Sequence, residues 1–113
     1  MDLKDQKCRP CRRGDPALTD TETQAYLQQV PGWELAQDEK ELWRSFSFKS
    51  YLEGLDFVNA VAKMAQEEGH HPDIELSYKK VMVRWTTHAV GGLSENDFIG
   101  AAKTDGLYKT ALL

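Results

Sequence analysis

One long helical repeat, flanked on each side by segments with the period of a strand, constrains the fold of this chain more than any other feature. The repeat runs from about Ser50 to Glu68, and a glycine, Gly69, suits the left-handed position just beyond it. Its predicted buried stripe is Tyr51, Leu55, Val58, Ala62 and Ala65. An amphipathic helix of this length must bury one face, and the flanking segments supply a surface for it.

The flanking segments alternate between apolar and polar residues, as half-buried strands do. Before the helix, WELAQDEKELWRSFSF alternates on both sides of a polar QDEK turn. After it, IELSY and KVMVRWTTH are joined by a polar turn at Lys79 and Lys80. The predicted inner faces of this second pair carry Ile74, Leu76, Tyr78, Val81, Val83 and Trp85. Each pair therefore predicts an antiparallel hairpin.

Two capping signals predict further helices at the ends of the domain. Thr19 with Glu22 is a capping-box pattern before an apolar face, and Ser94 with Asp97 is another. The predicted order is α-β-β-α-β-β-α. It favours an α+β fold in which a four-stranded antiparallel sheet has its helices packed on one face.

The N-terminal stretch shows no periodicity, and it contains the only two cysteines. Residues 1–18 are charged and interrupted by proline and glycine, so we expect a flexible leader before a single domain at 19–113. Cys8 and Cys11 have the C-x-x-C spacing of half a zinc site or of a redox pair. Two reduced thiols in a mobile leader, not needed for the chemistry, are the simpler interpretation.

Charge and hydropathy exclude several classes of protein. The net charge is −4 and the pI is about 5.3, so the chain lacks the basic surface that nucleic-acid binding requires. No apolar run approaches the roughly 20 residues of a membrane span, and no apolar signal sequence opens the chain. We expect no nucleic-acid partner, no membrane association and a cytoplasmic location.

The three histidines of the chain fall where one hairpin brings them together. His70 and His71 precede the third predicted strand, and His88 follows the fourth, directly after Thr86 and Thr87. The entry to one strand of a hairpin lies beside the exit of the other, so the three rings should converge. Imidazole exchanges protons near neutral pH, which favours general acid–base catalysis. A three-histidine metal site and purely structural histidines remain the alternatives.

These residues belong to longer motifs: PGW, GHHPDIELSY and TTHAVGGLSENDF. With these motifs, the chain resembles the pterin-4a-carbinolamine dehydratase family over residues 19–105. The resemblance implies dehydration of a 4a-hydroxytetrahydropterin to the quinonoid dihydropterin, with neither metal nor organic cofactor. It further implies a role in recycling the pterin of an aromatic amino-acid hydroxylase, which is thus a possible functional partner.

The resemblance also assigns the site residues. His70, His71 and His88 match the family's catalytic histidines. The substrate-binding positions that it implies are Gly69, His70, His71, Thr86, Thr87, His88 and Asp97. Asp97 could equally serve only as the helix cap. Many members carry an acidic residue four positions before the first histidine, where this chain has Gln66.

Two expectations concern association with other chains. A sheet covered by helices on one face needs apolar cover on its other face or edge, and we expect five residues to offer apolar area for it: Phe46, Phe48, Val81, Val83 and Trp85. We therefore expect a homo-oligomer, and the resemblance suggests a dimer or a tetramer. Relatives also act as protein-binding modules, either coactivators or assembly factors, so a non-catalytic binding role is the alternative function.

Overall fold

The computed structural model describes residues 2–112, which form one layer of sheet and one layer of helices. In chain order the elements are a 3-10 turn (Leu3–Asp5), α1 (Asp20–Leu27), β1 (Glu34–Leu35), β2 (Leu42–Ser47), α2 (Tyr51–Glu68), β3 (Asp73–Leu76), β4 (Lys80–Trp85), a second 3-10 turn (His88–Val90) and α3 (Glu95–Ala111). The predicted α+β class and the predicted order of helices and strands are confirmed.

The four strands are all antiparallel and lie in the order β1-β2-β4-β3. The two hairpins are joined through their second strands, since β2 pairs with β4 from Leu42 opposite Trp85 to Ser47 opposite Lys80. β3 is therefore an edge strand. Its first residue, Asp73, lies opposite Arg84 near the end of β4, so the segments before β3 and after β4 are neighbours, as the hairpin predicted.

The helix boundaries follow the capping signals of the sequence. The Thr19 N–H donates to Glu22 Oε1 at 2.9 Å, and the Glu22 N–H donates to Thr19 Oγ1 at 3.2 Å, which completes the predicted capping box of α1. At the C-terminal end of α2, Gly69 has φ 68° and ψ 24°. That left-handed conformation ends the helix and costs glycine little, as predicted.

The predicted buried stripe of α2 is wrong at Tyr51, Leu55 and Ala62, which are exposed, whereas Ala65 is buried as predicted and Val58 is half-buried. The residues that α2 buries are Gly54, Phe57, Val61 and Ala65, whereas Tyr51 is 47% and Leu55 is 36% exposed. The predicted stripe and the buried stripe both fit a period of 3.6 residues. The stripe that faces the core is the one that contains the bulky side chain of Phe57. Gly54 is what lets this side of α2 approach the sheet, because a Cβ there would lie 3.2 Å from Leu76 Cδ1.

The core lies between the sheet and the two long helices, and it contains residues for which another role was predicted. Those expected to cover a second copy of the chain are all buried in the core of the chain itself: Phe46, Phe48, Val81, Val83 and Trp85. The argument for a homo-oligomer from these residues is therefore wrong, and the homo-oligomer itself stays a prediction. Tyr78, predicted on the inner face, lies in the β3–β4 turn and is 72% exposed, because β3 ends two residues earlier.

Residues 2–18, predicted as a flexible leader, lie against the domain in this structure. Leu3 is buried and belongs to the core cluster. The Lys103 ammonium on α3 donates to the Lys4 carbonyl at 2.9 Å, and the Leu18 N–H donates to the Leu93 carbonyl at 2.9 Å. The mobility of the segment stays a prediction.

Of the helices within residues 2–112, none is both long enough and apolar enough to cross a membrane.

The contact between α3 and the sheet yields a test of the fold. A Cβ on Gly100 would lie 2.7 Å from two ring carbons of Trp85, which is fully buried and cannot move aside. We expect Gly100→Ala to lower the free energy of unfolding by about 1–3 kcal/mol, the usual cost of overpacking. Urea unfolding followed by tryptophan fluorescence measures it.

Gly106→Ala is the matched control in the same helix, because a Cβ there meets nothing within 4 Å. We expect it to raise the free energy of unfolding by up to about 1 kcal/mol through helix propensity. Equal midpoints for the two variants would contradict the packing of α3 on Trp85.

Candidate active site

Two chain reversals bring the histidines to one cleft. At the end of α2 the His70 N–H donates to the Ala65 carbonyl at 3.2 Å, which turns the chain toward the sheet. After β4, Thr87 forms a bridge with Gly92, and the loop between them carries His88. All three histidines line a cleft of about 400 Å³, so the predicted convergence is confirmed as geometry.

A fully buried carboxylate, Asp97, organises the site from below. Its Oδ1 lies 2.7 Å from His70 Nε2. Its Oδ2 accepts the Thr87 hydroxyl at 2.8 Å and the Ser94 N–H at 2.9 Å. Asp97 thus caps α3 and also holds a histidine, so the two roles considered for it are compatible. A buried charge is tolerated only where such partners satisfy it.

His70 is the most constrained of the three rings. Its side chain is 14% exposed and stacks on the indole of Trp85, with ring centroids 5.4 Å apart and 21° between the planes. Because the Asp97 carboxylate accepts a hydrogen bond, Nε2 carries the hydrogen. In the neutral ring Nδ1 is then the nitrogen that can take up a proton.

His71 and His88 lie at the exposed side of the cleft. His71 Nε2 lies 2.9 Å from Gln66 Oε1, so the residue that departs from the family pattern contacts a predicted catalytic histidine. His88 lies on the second 3-10 turn and makes no side-chain hydrogen bond to any residue in the range 2–112. Both rings are open to solvent and can exchange protons with it.

Gly69, Thr86 and Thr87, the remaining predicted binding residues, also line the cleft. The two threonine hydroxyls are engaged inside the protein. Thr87 contacts Asp97 and also Ser94 Oγ at 2.8 Å, while the Thr86 hydroxyl donates to the Lys40 carbonyl at 2.5 Å. The Thr87 hydroxyl therefore supports Asp97, and it also lies 3.5 Å from His70 Nε2.

The sequence analysis missed one wall of the cleft. Seven further residues line the cleft: Cys8, Arg9, Pro10, Cys11, Glu68, Ala89 and Asn96. The first four lie in the predicted leader, and no local pattern signals a contact with residues 60 or more positions away. Burial raises the pKa of the Cys8 thiol to about 12, and the nearby charge of Glu68 adds to the effect. Cys8 is therefore a neutral thiol.

The arrangement is suited to proton transfer. Three imidazoles share a cleft large enough for a small bicyclic molecule, and a buried carboxylate orients one of them. Among the His, Cys, Asp and Glu side chains of residues 2–112, no group of three is placed to hold a metal ion.

Comparison with known proteins gives the same family as the sequence motifs. A family model described as pterin 4 alpha carbinolamine dehydratase matches residues 16–107. A protein of Nitrosomonas eutropha, provisionally named a pterin-4-alpha-carbinolamine dehydratase, is 50% identical over 107 residues, which are 94% of this chain and 93% of its own. One of Marinobacter nauticus with the same provisional name is 50% identical over 108 residues, 94% of this chain and 97% of its own.

Two solved structures share the fold. A transcriptional coactivator/pterin dehydratase from Brucella melitensis has a TM-score of 0.77 and 30% identity, covering 80% of this chain and 97% of that one. A pterin dehydratase-like protein identified as a RuBisCO assembly factor in the alpha-carboxysome has a TM-score of 0.59 and 27% identity. The match covers 68% of this chain and 89% of the assembly factor.

The Asp97 network predicts a specific response to loss of its charge. Asp97→Asn keeps the shape, but its NH₂ group must face either His70 or the donors Thr87 and Ser94. We expect a loss of about 1–3 kcal/mol in the free energy of unfolding, because one buried donor then loses its acceptor. We also expect a changed tautomer of His70 where the NH₂ faces the ring. Urea unfolding and ¹⁵N chemical shifts of the imidazole measure the two effects.

Glu95→Gln is the control, since it removes the same charge from the first turn of α3 without contact to a histidine. Its His70 spectrum should match the parent. Identical His70 spectra in Asp97→Asn as well would mean that Asp97 does not set the tautomer.

Proposed function

Because the chain belongs to the pterin-4-alpha-carbinolamine dehydratase family, we propose that it removes water from a 4a-hydroxytetrahydropterin by histidine general acid–base catalysis. The product is the quinonoid dihydropterin. The observation that carries the proposal is the cleft in which His70, His71 and His88 meet, with Asp97 buried behind His70.

The reaction requires two proton transfers and one bond cleavage. An imidazolium donates a proton to the 4a-hydroxyl, and the C4a–O bond breaks, so that its electron pair leaves with water. A neutral imidazole accepts the proton on N5. The electron pair of the N5–H bond then forms the C4a=N5 double bond. Each well-placed acid or base contributes about 10²–10⁴-fold to such a rate.

The surroundings of the three rings suggest how these roles are divided. His70 has Nε2 committed to Asp97 and its plane held against Trp85, so its Nδ1 is suited to accept the N5 proton. His71 and His88 are exposed, and an exposed imidazolium can be reloaded from solvent after each turnover. One of them donates to the leaving hydroxyl, and the other contacts the pterin.

We also propose a place for the reaction in pterin recycling, which the family resemblance supports. Regeneration of a tetrahydropterin used by an aromatic amino-acid hydroxylase would take up the product, and such a hydroxylase would supply the substrate. We also propose that the protein forms a homodimer or a homotetramer and works in the cytoplasm.

A non-catalytic binding role on the same fold is the second candidate. The names of the two solved neighbours include a transcriptional coactivator and a RuBisCO assembly factor. The feature of this chain that favours such a role is the outer face of α2, where Tyr51, Leu52 and Leu55 are exposed. In a purely binding role through that face, the histidines would have no catalytic part.

A direct assay of carbinolamine dehydration by the purified protein tests the proposal. We expect His70→Ala, His71→Ala and His88→Ala each to lower kcat by about tenfold or more, since each removes a group that transfers or positions a proton. The His70/His88 double variant should lose less than the product of the two single losses, because groups that act together are not additive.

Two controls keep the result interpretable. Asn59→Ala, at an exposed position of α2, should retain the parent rate, and chelators should leave the rate unchanged. If all three histidine variants stay folded and dehydrate the carbinolamine at the parent rate, the histidines are structural. The binding role would then become the better interpretation.

A further inference from the structure

The N-terminal segment Cys8–Cys11, whose sequence is CRPC, contributes four of the residues that line the cleft. We propose that this segment, called here the CRPC wall, is one side of the pterin site, and that Asn96 is the positioning residue that holds it closed. The proposal rests on the proposed function insofar as it names the ligand as a pterin.

The carboxamide of Asn96 binds the CRPC wall through both its oxygen and its nitrogen. The Arg9 N–H donates to Asn96 Oδ1 at 2.9 Å, and Asn96 Nδ2 donates to the Arg9 carbonyl at 2.6 Å. Asn96 Nδ2 also lies 3.3 Å from Cys11 Sγ. Asn96 is 5% exposed, so its carboxamide is satisfied chiefly by this segment, and the segment cannot move without leaving buried polar atoms unpaired.

A second anchor holds the start of the CRPC wall. The Cys8 N–H donates to Glu68 Oε1 at 2.8 Å, and the Cys8 thiol donates to the Asn96 backbone carbonyl at 3.7 Å. The side chain of Glu68 is buried, and its other carboxylate oxygen lies 3.8 Å from the Lys103 ammonium. The raised pKa of Cys8 agrees with a neutral thiol donor in this position.

The two anchors stand next to the catalytic groups in the chain. Glu68 is the last residue of α2, two positions before His70, and Asn96 directly precedes Asp97 in the first turn of α3. The same two helix ends thus fix the histidines on one side of the cleft and the CRPC wall on the other. The side chains of Asn96 and Glu68 hydrogen-bond to the CRPC wall, and neither of them hydrogen-bonds to His70 or to the Asp97 carboxylate.

This separation predicts a change in binding without an equal change in chemistry. We expect Asn96→Ala to raise KM for the carbinolamine by about tenfold while kcat stays within about twofold, because the lost hydrogen bonds position the CRPC wall and do not touch the reacting atoms. Asn96→Asp keeps the acceptor for the Arg9 N–H and loses the donor, so its KM should lie between those of the parent and Asn96→Ala. Asn59→Ala, the same substitution at an exposed helical site, should match the parent.

Alkylation of Cys11 supplies a readout that does not need turnover. The protein is treated with iodoacetamide with and without 7,8-dihydrobiopterin, and tandem mass spectrometry of the peptide carrying both cysteines measures each site. We expect the pterin to slow alkylation of Cys11 in the parent, and Asn96→Ala to speed it in the absence of the pterin.

The outcomes separate this inference from the proposed function. If Asn96→Ala dehydrates the carbinolamine normally with an unchanged KM, and the pterin does not protect Cys11, the proposed role of the CRPC wall is wrong. The proposed dehydratase activity would then still hold. Protection of Cys11 and weaker pterin binding in Asn96→Ala without any turnover supports the wall and overturns the dehydratase. A parent protein that neither binds the pterin nor turns the carbinolamine over overturns both.

Discussion

The buried carboxylate of Asp97 is the interaction on which the rest of the site depends. A charge removed from water costs several kcal/mol unless donors surround it, and Asp97 is fully buried. Its donors come from three parts of the chain: Ser94 at the start of α3, Thr87 after β4 and His70 after α2. These parts can separate only if a buried charge loses a partner. The start of α3, the end of the sheet and the histidine loop are therefore fixed together.

This dependence connects the fold to the cleft through α3. Gly100 lets the helix lie directly on the Trp85 ring, and the imidazole of His70 stacks on the same ring. The first turn of α3 then presents Asp97 to His70 and Asn96 to the N-terminal segment. One helix end thus positions both an imidazole and a wall of the cleft, so that the site is preorganised by a rigid element of the fold.

What could be predicted from the sequence was local. The capping box of Thr19, the left-handed Gly69 and the start of α3 at Ser94 each depend on residues within four positions, and all three were predicted correctly. The buried side of α2 was not predicted correctly. Two apolar stripes fit the helical period, and only the position of the sheet decides which of them is buried. The contacts of residues 8–11 with Glu68 and Asn96 join positions 60 to 88 residues apart, and no periodicity encodes them. The convergence of the histidines was predictable because an antiparallel hairpin places the start of its first strand beside the end of its second strand.

The two adjacent histidines illustrate how one chain reversal produces two different groups from identical residues. His70 is turned inward, where a carboxylate and an indole fix it, whereas His71 is turned outward to an amide, Gln66, and to solvent. Two imidazoles in the same surroundings would compete for the same protonation state. An acid and a base that act together need surroundings that differ. Because Gln66 carries no charge, the contrast between the two rings in this chain rests on the buried Asp97 on one side and on water on the other.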